Sequence, residues 1–339
     1  MVVPTVSDTH INKEVIEKKG TPLTYRPDIR VVDCTIRDGG LVNNFEFEDN
    51  FVRSVYRACS DAGVDYMELG YKASKKIFSP ADHGKWKFSD EEEIRKIIGD
   101  ERTGLKLSVM ADAERTDYHE DILPKSQSVV DMIRVATYVY QIPTAVDMIK
   151  DAHDKGYETT VNLMAASLLK ESELEEALAI LSDSQVDVIY LVDSFGAFYS
   201  EEIRNYVGKY LKYAQSTGKS VGIHTHNNQQ MAYANTIEAA IMGASYLDAT
   251  VSGLGRGAGN CPMELLLGFL KNPKFDIRPV IKCIQESILP LKKTVSWGYD
   301  LPYMITGQLN CHPRSAINFL KSPDNHDYLN FYDSVIEEI

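Results

Sequence analysis

Two histidines one residue apart, His224 and His226 in IHTHNN (223–228), are the sharpest chemical feature of the sequence. On an extended segment a spacing of two turns both imidazoles to one side. Two neighbouring imidazoles on one face suit a divalent metal. The competing reading gives one ring a structural hydrogen bond and leaves the other to solvent. The pair follows an apolar run and precedes Asn227-Asn228, which favours the metal. Two ligands do not complete a site. We expect Asp38, in VVDCTIRDGG (31–40), to be the third; a helix cap or an ion pair with Arg37 would be its structural alternatives. Asn260, closing the glycine-rich GLGRGAGN (253–260), offers a further oxygen. A mixed nitrogen and oxygen set suits Mn2+, Mg2+, Co2+ or Zn2+ without choosing between them. An ion with open positions could hold the ketone and carboxylate oxygens of one small molecule and stabilise an enolate.

Arg37 has a place in that chemistry, because an enolate oxygen needs fixed positive charge and arginine keeps its charge at any working pH. A buried arginine needs a carboxylate, and Glu68 in MELGY (67–71) could hold its fork. A purely structural Arg–Glu pair is the bland alternative. The stretch 253–260 could be an anion cradle, a mobile loop or a tight turn. Within it, Gly255 and Arg256 are candidate substrate contacts, as is Asn162 at the end of another apolar run. Gly39 and Gly40 are expected to let the chain turn sharply, so that Arg37 and Asp38 both face the site.

Elements that could position these residues alternate along the chain. Short β-branched runs are followed by segments of helical period. The runs are Val31–Ile36, Val64–Leu69, Leu105–Met110, Val130–Ala136, Tyr157–Met164, Val186–Val192, Val221–His226 and Ser245–Val251. Eight such units close a parallel barrel, whose chemistry gathers at the C-terminal ends of the strands. A doubly wound open sheet would want a glycine-rich phosphate turn after the first strand, and RDGG is not one. The expected organisation is an α/β (β/α)8 TIM barrel over residues 31–275, an N-terminal arm (1–30) and a small helical C-terminal extension (276–339).

The net charge of −13 and pI of about 5.1 argue against general binding to nucleic acid or an anionic membrane surface. Five scattered cysteines without a CxxC pair read as reduced thiols, so a cytoplasmic protein is expected. No stretch approaches a membrane span or a signal peptide.

Taken together, DCTIRDGG, ELG and HTHNN…ANTIEAAIMGASYLDATVSGLGRGAGNCPMELLL resemble the metal-dependent lyase and synthase barrels built on an Asp-Arg-Glu triad. That group includes 3-hydroxy-3-methylglutaryl-CoA lyase, isopropylmalate and homocitrate synthases, and 4-hydroxy-2-oxovalerate aldolase, and its shared region is the pyruvate carboxyltransferase domain. The resemblance covers roughly residues 30–272. It implies a TIM barrel, Asp38, His224 and His226 as metal ligands with Asn260 beside them, and Arg37 as the enolate stabiliser supported by Glu68. GAGNCPMELL and WGYDLPY (297–303) are similar to stretches of 4-hydroxy-2-oxovalerate aldolase, which implies that Tyr299 or Tyr303 reaches the active site; packing of a terminal helix is the alternative for both. There is one departure. The pyruvate aldolases keep a general-base histidine two residues after the RDG glycine, and here Leu41 stands there. A base would then come from Tyr299, Tyr303 or His312, and Asn43 and Asn44 could contact substrate.

The activity this implies is a divalent-metal-dependent aldolase or lyase acting on a 2-oxo acid through a pyruvate-type enolate. A Claisen-type acyl-CoA synthase is the rival, although such synthases carry longer C-terminal regions than this chain has. A barrel that keeps the metal without catalysis is the third reading. The resemblance further implies a homo-oligomer and, for an aldolase, an aldehyde dehydrogenase partner.

Overall fold

The computed structural model describes residues 25–99 and 103–337; most of the expected N-terminal arm, residues 1–24, lies outside the described residues. The strands are β1 (Arg30–Asp33), β2 (Tyr66–Tyr71), β3 (Lys106–Asp112), β4 (Met132–Thr137), β5 (Glu158–Leu163), β6 (Val188–Asp193), β7 (Ser220–Thr225) and β8 (Tyr246–Ala249). Each pairs in parallel with the next, and β8 closes on β1 through Arg30↔Tyr246 to Asp33↔Ala249. This is the (β/α)8 barrel expected from the alternation. Helices cover its outside with apolar stripes: Asp49–Asp61, for example, buries Val52, Val55, Tyr56, Ala58 and Cys59, the spacing of one helical face. Among the described residues, no helix is long and apolar enough to cross a membrane.

The pleat sorts the strand residues. Even-numbered positions face the barrel axis, where Val32, Cys34, Tyr66 and Met132 form one cluster and Val188, Tyr190 and Val192 another. Odd-numbered positions such as Val31, Met67, Val109 and Ile189 join the large core under the helices. Gly222 makes room for the Tyr190 ring, which would lie 2.5 Å from a Cβ there. Higher on the axis the inward positions turn polar, with Glu68, Arg134, Asn162, His224 and Asp248 all buried.

Two expectations about the first strand need correction. Strand β1 ends at Asp33, not Ile36, and the helix α1 (Thr35–Asn43) begins at once. The cause is local: the Asp33 carboxylate accepts from the Thr35 amide (3.3 Å) and hydroxyl, and the Thr35 hydroxyl accepts from the Val251 amide (2.8 Å). Arg37 and Asp38 therefore ride on the first turns of a helix at the barrel mouth. Gly39 and Gly40 do not make a turn. They are helical, and they are glycines because neighbours approach closely: a Cβ on Gly40 would stand 2.1 Å from the Phe45 ring, and one on Gly39 2.8 Å from Leu254.

Beyond the barrel, a helical run over 278–291 sends Val280, Cys283 and Ile288 into the main core. The last helices, Leu301–Gln308, Arg314–Lys321 and Tyr328–Glu337, gather around Ile305, Ala316, Phe331 and Val335. The Trp297 indole donates to the Ser252 carbonyl (3.1 Å) and ties this extension to the loop after β8. The extension thus roofs part of the barrel mouth.

Candidate metal centre and active site

His224 is inward-facing on β7, and His226 follows the strand, so their rings stand 5.0 Å apart at 77°. Each ring is oriented through its Nδ1: His224 donates to Asp248 Oδ2 (2.8 Å) and His226 to the Asp193 carbonyl (3.0 Å). Their Nε2 lone pairs then point at one space, 3.5 and 3.7 Å from Asp38 Oδ2. Such outward hydrogen bonds fix the tautomer a metal requires. The candidate ligand atoms of Asp38, His224 and His226 all lie within 4.8 Å of one another and are buried.

The surroundings fit a cation. Burial alone would raise the pKa of Asp38, but Arg37, His226 and His224 hold it well below the ordinary carboxylate value. Burial, aided by Arg256 and His224, pushes His226 far down and keeps it a neutral ligand. Burial opposes protonation of His224 too, but its hydrogen bonds to Asp248 and Asp38 raise its pKa, so a proton competes for this position. The glycine loop leaves the space clear: a Cβ on Gly255 would fall 2.7 Å from Asp38 Oδ1 and 2.4 Å from the Asn260 side-chain amide. With its amide nitrogen turned to Asp38 Oδ1 (3.3 Å) and the Gly259 carbonyl (3.0 Å), Asn260 directs its oxygen toward His224 Nε2.

A buried charge network lies under these ligands. Arg37 Nε donates to Glu68 Oε2 (2.7 Å), and the Arg37 fork also reaches Asp38. Arg134 shares Glu68 Oε2 (3.1 Å) and donates to Asp248 Oδ2 (2.6 Å), with its guanidinium 4.5 Å from the Tyr190 ring centroid. The chain of contacts runs from Asp38 through Arg37, Glu68, Arg134 and Asp248 to His224. Every member is buried, so each charge depends on its neighbours.

An inner cavity of about 70 Å³ opens above the ligands, with Arg37, Asp38, Tyr71, Asn162, His224, His226 and Arg256 among its walls. Leu41, Met110, Met164 and Val192 make the rest of the wall mostly apolar. An outer cavity of about 530 Å³ adjoins it, bounded by Leu41, Asn43, Arg256 and residues 294–300 with Tyr303 and Ile317. Leu41 and Arg256 line both. The Arg256 amide donates to Asp38 Oδ1 (2.9 Å), and its guanidinium donates to the Ser194 carbonyl (2.7 Å).

Most sequence candidates meet here: Arg37, Asp38, Glu68, Asn162, His224, His226, Gly255, Arg256 and Asn260. Tyr299 and Tyr303 line the outer cavity rather than the inner one, and Tyr299 is 60% exposed at its rim. His312 approaches Arg256 (3.5 Å), and burial with the two neighbouring arginines, Arg256 and Arg314, lowers its pKa to about 4. Asn44 is a correction. It sits outside both cavities, left-handed at the end of α1, where its side chain donates to the Asp82 carbonyl. Sequence reasoning missed Arg134, Asp248 and Tyr71. For the first two the signal was a lone charge inside an apolar run, MIRVAT and YLDAT, which a buried strand admits only with a partner.

Comparison with known proteins identifies the family. The chain is 34% identical over 252 residues to oxaloacetate decarboxylase of Mycobacterium tuberculosis, covering 73% of this chain and 71% of that one. It is 30% identical over 268 residues to 4-hydroxy-2-oxovalerate aldolase of Bacillus cereus, covering 78% and 76%. Among solved structures, the N-terminal domain of a candidate aldolase from Bacteroides vulgatus superposes with a TM-score of 0.79 at 28% identity, covering 92% of this chain and all of that one. HMG-CoA lyase of Brucella melitensis shares the fold at a TM-score of 0.63 and 18% identity, covering 78% and 99%. The HMGL-like family model matches residues 28–285, and the chain belongs to that family.

Proposed function

We propose that this protein is a divalent-metal-dependent carbon–carbon lyase that acts on a 2-oxo acid through a pyruvate-type enolate. The observation that carries this reading is the convergence of Asp38, His224 and His226 on one space beside a cavity into which Arg37 also faces. Asp38, His224 and His226 hold the ion, and Asn260 adds an oxygen. Bound there, Mn2+, Mg2+, Co2+ or Zn2+ supplies Lewis-acid polarisation of the substrate ketone. Arg37, held by Glu68, presents a permanent charge where the enolate oxygen becomes negative. Arg256 and Asn162 take the substrate carboxylate, and Leu41, Met110, Met164 and Val192 give the cavity an apolar side. Tyr299 and Tyr303 face the group beyond the cleaved bond, in the outer cavity.

Both named relatives break a bond to the carbon that becomes the enolate terminus: one releases an aldehyde, the other CO2. Leu41 favours the second reading, loss of CO2 from a 3-carboxy-2-oxo acid. Aldol cleavage needs an acceptor for the proton of the 4-hydroxyl group. In the inner wall the carboxylate and imidazoles are engaged as ligands and the arginines are protonated, whereas decarboxylation needs no such acceptor. For aldol cleavage the acceptor would have to come from Tyr299 or Tyr303 in the outer cavity or from His312 behind Arg256, whose Nδ1 already accepts from the Arg314 amide (3.0 Å). Cys34, Cys59, Cys261 and Cys283 are buried free thiols, which supports a cytoplasmic location. A homo-oligomer and an aldehyde dehydrogenase partner go with the aldol reading, and co-purification with such an enzyme would support it.

The test has two parts. His224→Ala/His226→Ala protein should lose its bound metal; undiminished metal stoichiometry would sink the ligand assignment. The loaded parent should exchange the methyl protons of pyruvate with deuterated water, and Arg37→Lys should slow this by about 10²-fold or more, the range for removing one oxyanion donor. Equal exchange in parent and variant would remove Arg37 from its role.

A further inference from the structure

We propose that Tyr71 is the acid that protonates the enolate carbon, and that Lys87 is its positioning residue. The inference rests on the lyase reading above. After bond cleavage the electron pair stays on the 2-oxo acid as an enolate, and the terminal carbon must gain a proton before pyruvate or its homologue can leave. Of the side chains lining the inner cavity, only Tyr71 and Ser194 carry a hydroxyl. Ser194 Oγ accepts from the Ala165 amide (2.8 Å), and an aliphatic alcohol is a far weaker acid than a phenol. Arginine does not give up its proton.

The backbone goes out of its way to bring Tyr71 there. On β2 the inward positions are Tyr66 and Glu68, so an odd-numbered residue would face the helices. Between Glu68 and Tyr71 the register with β3 slips: Glu68 pairs with Ser108 but Tyr71 with Met110, three residues against two. This bulge re-aims Tyr71 into the mouth, as bulges beside active sites do. It depends on Gly70, whose φ is +153° and where a Cβ would stand 2.0 Å from the Trp86 carbonyl oxygen.

Behind the ring sits an unusual cation. Lys87 is 7% exposed and forms no ion pair among the described residues. Its ammonium lies 4.6 Å from the Tyr71 ring centroid, 4.3 Å from that of Phe78 and 5.1 Å from that of Phe45. Phe45 also meets Tyr71 edge-on at 5.6 Å. A cation over the ring face holds the ring and favours the negative charge that appears as the phenol gives up its proton. Burial keeps the Tyr71 hydroxyl protonated through the neutral range, so the proton is in place when the enolate forms.

The step balances. The O–H bond of Tyr71 breaks, a C–H bond forms at the enolate terminus, and the enolate oxygen returns to a ketone. The phenolate is reprotonated by solvent, which supplies the one proton a decarboxylation consumes.

The experiment uses the metal-loaded full chain, oxaloacetate, its 3-methyl homologue and pyruvate, in deuterated water. The parent should decarboxylate the 3-methyl substrate to a product deuterated on one face. Tyr71→Phe should bind metal at parental stoichiometry, lose methyl exchange by about 10²–10⁴-fold, the range for a general acid, and yield product deuterated on both faces, because the enolate is then protonated by solvent. Lys87→Met should move the alkaline limb of the exchange profile in the parent but add nothing in Tyr71→Phe. If Tyr71→Phe does not fold, difluorotyrosine at position 71 keeps the shape with a more acidic phenol and should shift that limb to lower pH. Parental exchange rate and parental facial selectivity in Tyr71→Phe would overturn the inference while leaving the lyase reading intact. A parent that neither exchanges pyruvate nor cleaves either acid would overturn both.

Discussion

Asp248→Asn removes one charge and almost no volume from the layer beneath the proposed metal ligands. Asp248 Oδ2 accepts from Arg134 Nη2 (2.6 Å) and from His224 Nδ1 (2.8 Å). Arg134 is fully buried, and its other carboxylate, Glu68, is shared with Arg37, so the variant leaves Arg134 with no carboxylate of its own, while Arg37 keeps Asp38 as well. Burial pushes the Asp248 pKa up, but Arg134 and His224 pull it down to about 2 from an ordinary 3.8. A shift of that size corresponds to roughly 2.5 kcal/mol of stability. Because the folded value lies below the unfolded one, this contribution is complete above about pH 3.8 and is lost as the pH falls toward 2. Breaking a buried pair from one side costs about 3–5 kcal/mol, and since the amide oxygen still accepts from His224 we expect the lower end, about 3 kcal/mol. In the metal-free protein, at about 2.1 cal/mol/K of unfolding entropy per residue, this should lower the melting temperature by roughly 4 °C. Metal affinity should fall separately by about 10–100-fold, as when a carboxylate behind a ligand histidine is lost. Thermal melts of the metal-free protein and a calorimetric metal titration measure the two effects. If both the melting temperature and the affinity matched the parent, the network would not be supporting His224, and the reasoning would be refuted.

Other substitutions separate packing from chemistry. Gly40→Ala should destabilise by about 1–3 kcal/mol through its clash with Phe45, outweighing the gain in helix propensity, whereas Gly39→Ala meets the Leu254 side chain less closely, at 2.8 Å against 2.1 Å, and should cost less; urea unfolding of both variants checks the order. Asn44→Ala should leave turnover unchanged and cost only about 0.5–1 kcal/mol, since Asn44 closes a helix and does not line either cavity. Burial holds His312 near a pKa of about 4 against 6.5 unfolded, so the unfolded chain binds the extra proton and stability should decline as the pH falls from 6.5 toward 4. Melts of His312→Gln should show a flatter profile over that window.

The barrel was legible because its signal is repeated: eight apolar runs and eight helical segments leave few other architectures. The strand-end ligands were legible because spacing alone puts His224 and His226 on one side. Other features depend on tertiary contacts that no local pattern carries. Gly39-Gly40 looks like a turn in isolation, and only the Phe45 ring packed against it explains glycine inside a helix. Asn43 and Asn44 look alike in sequence, yet the end of α1 turns the second one away from the cavities. Tyr71 is hidden by parity: strict alternation sends it outward, and a one-residue bulge reverses that. Arg134 and Asp248 are lone charges in apolar runs, but they stand 114 positions apart in sequence, and only the closed sheet brings them together.

The two cavities divide the chemical problem. The inner one, at about 70 Å³, has space for about five water-sized atoms, close to what a three-carbon 2-oxo acid requires. Its charged wall can stabilise an enolate whatever group departs. On the proposed reading the departing group lies on the other side of Leu41, toward the outer cavity, since Leu41 lines both. A leucine at that neck neither accepts a proton nor hydrogen-bonds a hydroxyl, so it contributes little to releasing an aldehyde. It does offer an apolar contact, and an apolar surrounding favours the change from a carboxylate to neutral CO2, since the carboxylate loses more on leaving water than its product does. Replacing Leu41 by His should therefore move the balance in a defined direction: oxaloacetate turnover should fall while 4-hydroxy-2-oxo acid cleavage rises, measured side by side on the same metal-loaded preparation. A drop in both, or no change in their ratio, would show that residue 41 does not select the leaving group.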